Sequence, residues 1–419
     1  MVKIPTKIVN TVEEYVILEK EYGMPIYHNK ILDDTRKLIL SKGRKVPHLR
    51  VNKIIYESKN IIERLVLSLL DSSSDKQKKS LYKVQLTDKN DIYHNEFIRK
   101  ALEEYHQLIF DKHIPNHTQS AVSKFNDEFI DIIINNNKAY TNYITNYIES
   151  VTKLKELPKN IDDIIKIIEM DTKIRVIYKD YTKDISHSRY KLIHTNHKSI
   201  TPVAFMRMIL RYGLTKDSGQ QWSLGLNLYH YIAKILNVNT EMFGSPLNFL
   251  LKYFCSLNTD TDADMGSLGN YFELLKNKTF LENSTNGLYC PPYVEKLMDD
   301  GSLYLNDILS KFESEQKAYV VVCFVPEWTD ADYMNTMKNS KYNVIDKKLL
   351  RGEYIHSKKS IGKKMLVTTL DSHCFLMHSL NKDLSKKDRE ELEDKFRKIV
   401  RFLRREADDM KRKTKKRIY

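Results

Sequence analysis

A chain of 419 residues is too long for one compact domain, and 41% hydrophobic with 30% charged residues excludes a disordered chain. Lys and Arg total 69 against 55 Asp and Glu, a net charge of 69 − 55 = +14 that suits a polyanionic partner such as nucleic acid. The longest apolar run, Ala318–Val325, falls far short of the ~20 residues of a membrane span; the four cysteines (Cys255, Cys290, Cys323, Cys374) form no CxxC, which excludes a zinc ribbon and a dense disulfide framework.

The segment from Met1 to Lys7 lacks the apolar centre of a signal peptide, so a soluble intracellular protein in a reducing compartment is expected. Nucleus and cytoplasm both fit, including a host's cytoplasm if the source is viral, and abundant Asn, Lys, Ile and Tyr suit an AT-rich genome. Between Gly43 and Gly213 no glycine occurs, whereas ten of the twelve glycines fall between Gly213 and Gly362. Helices exclude glycine and strand-rich turns use it, so residues 1–200 are predicted to form a helical domain. Apolar residues at helical spacing from Ile54 to Leu70 support this, as do Glu96–Phe110 and Val122–Ile134, separated at Pro115.

Residues 201–384 change character. Tyr319–Val325, bounded by Pro326, predicts a strand buried on both faces at the centre of a parallel sheet. Thr240–Phe243, Met365–Thr369 and Cys374–Leu380 are further strand candidates, with helices over Leu224–Leu236 and Tyr293–Phe312. Strands alternating with helices predict an open α/β sheet. Residues 385–419 form a basic helical tail: Arg397–Tyr419 holds eleven Lys or Arg against three acids.

Three segments carry candidate chemistry. In Glu241–Asn248 a strand end meets Gly244 and Ser245, and a helix is predicted to begin near Pro246; this is the arrangement by which open α/β sheets bind nucleotides. In Leu288–Tyr293 the pair Pro291-Pro292 removes two donors, leaving the Cys290 and Pro291 carbonyls as a rigid acceptor ledge beside Tyr293. Glu327 and Trp328 follow the strongest strand, where substrates of α/β sheets sit. Basic segments add candidate phosphate contacts: Arg44, Lys45 and Arg50 within Arg36–Lys53, and Lys363 with Lys364 in a second loop. The histidine pairs His194/His197 and His113/His117 have no thiol or paired acid nearby in sequence, and no metal is expected.

In order, Phe243–Asn248, Tyr253–Ser256, Gly266 with Ser267 and Gly269, Pro291-Pro292, Phe324–Trp328, Lys363-Lys364 and Phe375–Leu380 resemble the phosphorylated-CTD-interacting factor family of cap-specific adenosine methyltransferases. The resemblance covers residues from about 202 to 381. It implies an α/β Rossmann-like methyltransferase core preceded by a mainly α-helical domain. It also implies S-adenosyl-L-methionine as donor and capped RNA as acceptor, methylated at N6 of the adenosine beside the 7-methylguanosine cap. Phe243, Gly244, Ser245, Pro246, Asn248 and Gly266 would then hold the donor. Cys290, Pro291, Pro292 and Tyr293 would form the catalytic ledge, and Glu327, Trp328, Arg44, Lys45, Arg50, Lys363 and Lys364 would contact RNA. A protein partner in the transcription or capping machinery is implied, with no membrane.

Two departures stand out. Trp222 and Trp328 are the only tryptophans and neither sits in a WW pattern, so the family's WW module is not expected in this chain. The family reads Asn-Pro-Pro-Phe where this chain has Cys290-Pro-Pro-Tyr293. Tyr keeps a stacking face, but a thiol sulfur is a weak acceptor in place of a carboxamide. Three alternatives therefore stay open: an altered enzyme, a catalytically silent RNA- or partner-binding subunit, and a Cys290 thiolate acting as nucleophile, which requires a depressed pKa.

Overall fold

The computed structural model describes residues 6–42, 99, 101–103, 106, 118–153, 164–196, 200–214, 223–328, 331–353, 355–358, 364–367 and 370–415. Arg44, Lys45, Arg50, Lys363, the Ile54–Leu70 stripe, Pro115 and most of Glu96–Phe110 lie outside them. The chain divides into two compact units: residues 1–166 with 177–181 and 205–218, and residues 167–176 with 182–204 and 219–419.

The first unit is built on α1 (Thr6–Lys42) and α2 (Gln119–Lys153). On α2, Phe125, Phe129, Ile130, Ile133 and Ile134 recur at helical spacing and are buried. Glu21 of α1 is buried and takes two bonds from the Arg207 guanidinium, at 2.8 and 3.0 Å, and one from Arg211 at 3.1 Å. The helical expectation for residues 1–200 needs one correction. Residues 166–186 form a three-stranded sheet, β1 (Lys166–Met170), β2 (Lys173–Tyr178) and β3 (Tyr181–Ser186). The alternation in Lys173–Tyr178, with every second residue buried, is a strand signature that the missing glycines concealed. The β2–β3 turn manages without glycine because Lys179 itself takes the left-handed conformation, φ 53°. Helices α3 (His187–Asn196) and α4 (Pro202–Leu214) follow.

The second unit holds a six-stranded sheet in the order β6-β5-β7-β8-β12-β9. Its strands are β5 (Thr240–Glu241), β6 (Tyr253–Phe254), β7 (Gly287–Tyr289), β8 (Val320–Pro326), β9 (Asn343–Leu349) and β12 (Ser372–His378). β6, β5, β7 and β8 are mutually parallel, whereas β12 runs antiparallel to both β8 and β9. The central strand is therefore as buried as its sequence demands, with all seven residues inside, but the sheet is mixed rather than wholly parallel. A smaller sheet joins β4 (Ser223–Leu224), β10 (Ile355–Lys358) and β11 (Lys364–Val367) in the order β11-β10-β4. The strand expected over 365–369 thus belongs to a separate sheet.

Apolar clusters cover both faces. Val321, Cys323 and Val325 pack with Leu305, Ile308, Leu309 and Phe312 of α8 (Glu295–Ser314) and with α9 (Asp332–Lys338). Val320, Val322 and Phe324 face α5 (Leu226–Leu236) and Phe396, Ile399, Val400 and Leu403 of α10 (Lys386–Lys415). Each fully buried large side chain contributes about 1.5–3 kcal/mol relative to exposure. The expected basic tail is thus a helix whose apolar stripe closes the core. Two short helices, α6 (Thr259–Asp262) and α7 (Lys278–Asn283), line the β6–β7 connection; the Asn277 side chain caps α7 by accepting from Phe280 N at 2.9 Å. No helix among the described residues is long and apolar enough to cross a membrane.

Candidate active site

The parallel strands bring four loops to one edge of the sheet. The chain passes from β5 to β6 on one side, then crosses to β7 on the other, so the order reverses between β5 and β7. Ligands of open α/β sheets bind in the crevice outside the carboxyl ends at such a reversal. Phe243 and Gly244 leave β5 there, and Cys290 leaves β7.

After β5 no helix forms at Pro246, which corrects the sequence expectation. Residues 246–248 are a turn: Phe249 N donates to the Ser245 carbonyl at 2.9 Å, but Leu250 N turns to Glu241 in place of continuing a helix. Asn248 Oδ1 accepts from Ser245 N at 2.8 Å and Ser245 Oγ at 3.0 Å, and Glu241 Oε2 accepts from Leu250 N at 3.1 Å. Ser245, Pro246 and Asn248 are buried and build the loop. Gly244 permits a close approach to the protein itself: a Cβ there would lie 3.2 Å from Phe254 Cβ. Phe243 stands half-buried against Tyr271 and Tyr289, with ring centroids 4.5 and 5.3 Å away.

Gly266 ends a turn at φ 89°, and Ser267 bridges to Phe254, so the Gly266–Gly269 segment lies beyond β6, one strand further from the reversal. A Cβ at Gly269 would meet nothing within 4 Å, so this turn borders open space. Ser256 and Ser267 hydroxyls meet at 2.7 Å, with Asn258 and Asp262 buried nearby in the chain.

Along β7 the side chains alternate. Leu288 and Cys290 pack on the α5 side, and Tyr289 and Tyr293 on the α8 side. Pro291 is buried, and Val294 N donates to the Pro292 carbonyl at 2.8 Å. Burial, with the Glu241 carboxylate adding to it, pushes the Cys290 thiol up to about 12. A thiolate nucleophile needs a shift in the opposite direction. Tyr293 and Trp328, from different strand ends, meet edge-to-face with centroids 6.5 Å apart. Tyr333 fixes Trp328 from behind, accepting from its backbone N–H at 3.3 Å and donating to the Pro326 carbonyl at 2.6 Å.

Glu327 points elsewhere. Lys348 lies 2.5 Å from Oε2 and His373 Nε2 3.2 Å from Oε1, and Asp346 stands 3.5 Å from the other imidazole nitrogen. The bond from Lys348 holds the Glu327 carboxyl below its ordinary range. Sequence reasoning missed His373 and Lys348, and also the buried bonds behind the β5–β6 loop: Tyr229 OH donates to Glu241 Oε1 at 2.7 Å, and Arg189 donates to the Phe249 carbonyl. Only a charged residue inside a strand signature, Glu241 after Thr240, offered a hint. Lys364 opens β11, in the smaller sheet.

A six-stranded, mostly parallel sheet between helices, with loops converging at a strand-order reversal, defines an α/β protein. Residues 173–357 match the family model described as phosphorylated CTD interacting factor 1 WW domain. Curated relatives named mRNA (2'-O-methyladenosine-N(6)-)-methyltransferase, from Mus musculus and Homo sapiens, are each 29% identical over 124 residues. That stretch is 30% of this chain and 16% of each relative, so the chain matches a small part of their length. The resemblance legible in the motifs is thereby found again over residues 173–357, which are similar to the phosphorylated CTD interacting factor family.

Proposed function

We propose that the second unit is a Rossmann-like methyltransferase core that binds S-adenosyl-L-methionine and acts on the N6 amine of an adenosine beside an RNA cap. The observation that carries this reading is the placement of the Cys290-Pro291-Pro292-Tyr293 ledge and the Phe243–Asn248 loop on neighbouring parallel strands at the order reversal. The relatives' printed name supplies the acceptor. The residues present fit the donor: an open glycine turn at Gly269 and hydroxyl, amide and carboxylate groups at Ser256, Asn258 and Asp262 suit a ribose and its amine-bearing base. When bound, that donor supplies a methyl group on a sulfonium.

Tyr293 would stack on the adenine, with Trp328 as its brace. The Cys290 and Pro291 carbonyls would accept from the exocyclic amine and orient its lone pair. Glu241 keeps the donor loop closed through Leu250 N. Capped RNA, and a partner in the transcription or capping machinery, follow from the family and from the net charge of +14.

One observation favours a second reading, a silent RNA- or partner-binding subunit. Cys290 packs toward the α5 side as a neutral thiol and offers the amine no strong side-chain acceptor. Calorimetric titration with S-adenosyl-L-methionine, followed by radiolabelled methyl transfer to RNA beginning with capped adenosine or capped guanosine, separates the two. Donor binding with transfer to capped adenosine supports the enzyme. Absence of donor binding leaves the silent subunit.

A further inference from the structure

β8 lies between β7 and β12, and the two residues that follow it part company. Trp328 reaches Tyr293 beyond β7, whereas Glu327 reaches β12 and β9. Both Glu327 oxygens are held inside the protein. Oε2 meets Lys348 Nζ of β9 at 2.5 Å, and Oε1 accepts from His373 Nε2 of β12 at 3.2 Å. The Glu327 amide donates to the Asp371 carbonyl at 2.8 Å.

This grip is built into the interior. The His373 and Glu327 side chains are 6% and 12% exposed. The imidazole lies against the Phe375 ring, centroids 5.6 Å apart, and its Nδ1 stands 3.5 Å from Asp346 Oδ2, so a carboxylate faces each nitrogen. Lys348 also approaches Asp371, at 3.5 Å. Burying a carboxylate is costly unless it is paired, and an apolar pair would fill the same space without that cost. What charge-assisted bonds add is direction.

Direction matters one residue further on. The Trp328 amide reaches Tyr333 OH by a long bond of 3.3 Å, and the indole meets Tyr293 and Tyr333 edge-to-face, with centroids 6.5 and 6.3 Å away. A shift of Glu327 therefore carries the indole with it. We propose that His373 and Lys348 are positioning residues for the crevice: by holding Glu327 they set where Trp328 stands against Tyr293, and Glu327 acts through that neighbour without touching RNA. The part of Trp328 in substrate binding rests on the methyltransferase reading; its placement by the Glu327 grip does not.

Trp328 is its own probe. In the full chain, Trp222→Phe leaves it the sole tryptophan, so its emission and its quenching by acrylamide report its surroundings with no ligand present. Lys348→Met, at a partly exposed position, releases one Glu327 oxygen, and His373→Leu releases the other. His373→Gln keeps an N–H donor near the place of Nε2. The Met and Leu variants shift the emission to the red and raise the quenching, and the Gln variant keeps wild-type values. In methyl transfer to capped adenosine, the same two variants lower kcat by up to about 10²-fold with donor affinity unchanged, the effect of a displaced wall. Unchanged emission and quenching in Lys348→Met overturn the proposal, as does a Gln variant shifted like Lys348→Met; these two variants decide even where His373→Leu fails to fold. A wild-type chain that transfers no methyl group overturns the methyltransferase reading and leaves the fluorescence result standing.

Discussion

Cys290 stands at the point where the family chemistry and this chain diverge. Its position beyond the carboxyl end of β7 is set by that interior strand, but its side chain is a thiol whose pKa is raised by burial and by Glu241. If methyl transfer operates, Cys290→Asn raises its rate, because a carboxamide accepts from the adenine amine as the bond to the methyl group forms. The gain belongs to kcat more than to RNA affinity, and single-turnover measurements separate them. Tyr293→Ala acts in the opposite direction by removing the stacking face, worth about 1–3 kcal/mol. Glu327 yields a pH prediction. Its carboxyl is held low by Lys348, so the bond contributes stability above the ordinary Glu pKa of about 4.3 and loses it as the pH falls through the lowered value. Lys348 is 46% exposed, so solvent screening keeps the contribution small. Glu327→Gln therefore melts below wild type at pH 7, and the gap narrows at pH 4.

The β5–β6 loop shows what an element can and cannot announce. Gly244-Ser-Pro is legible as a turn at a strand end, and the structure agrees. The helix expected after it stops at one turn: Phe249 N donates to the Ser245 carbonyl, but Glu241 takes Leu250 N, the next amide a helix would use, and a bond across nine residues leaves no local trace. Val320–Pro326 was legible because burial on both faces writes a continuous apolar run. β2 was not, since its turn uses Lys179 at positive φ in place of glycine. The pairing of Tyr293 with Trp328 is likewise tertiary, although each residue stood out alone. Gly244→Val tests the loop. The Cβ, 3.2 Å from Phe254 Cβ and 3.5 Å from Glu241 Cδ, overpacks the site at a cost of about 1–3 kcal/mol. Urea denaturation reads that loss, and donor titration reads weaker binding from the displaced loop.

At the scale of the whole molecule, the charge of +14 predicts steep salt dependence of the proposed RNA binding. Replacing Arg44, Lys45 and Arg50 together by Ala flattens that slope by about 0.7 per lost contact, and an unchanged slope shows that they touch no phosphate. The sheet order carries a separate consequence for biosynthesis. β12 lies between β8 and β9 although it is made after both, and α10, which covers one face, comes later still. Until residue 378 leaves the ribosome, β8 presents a long apolar edge with nothing beside it, the kind of surface that invites pairing with another chain. A nascent chain stalled or cut between residues 350 and 370 is therefore a ready substrate for chaperones or for aggregation, and β12 with α10 decides the fate of everything translated before it.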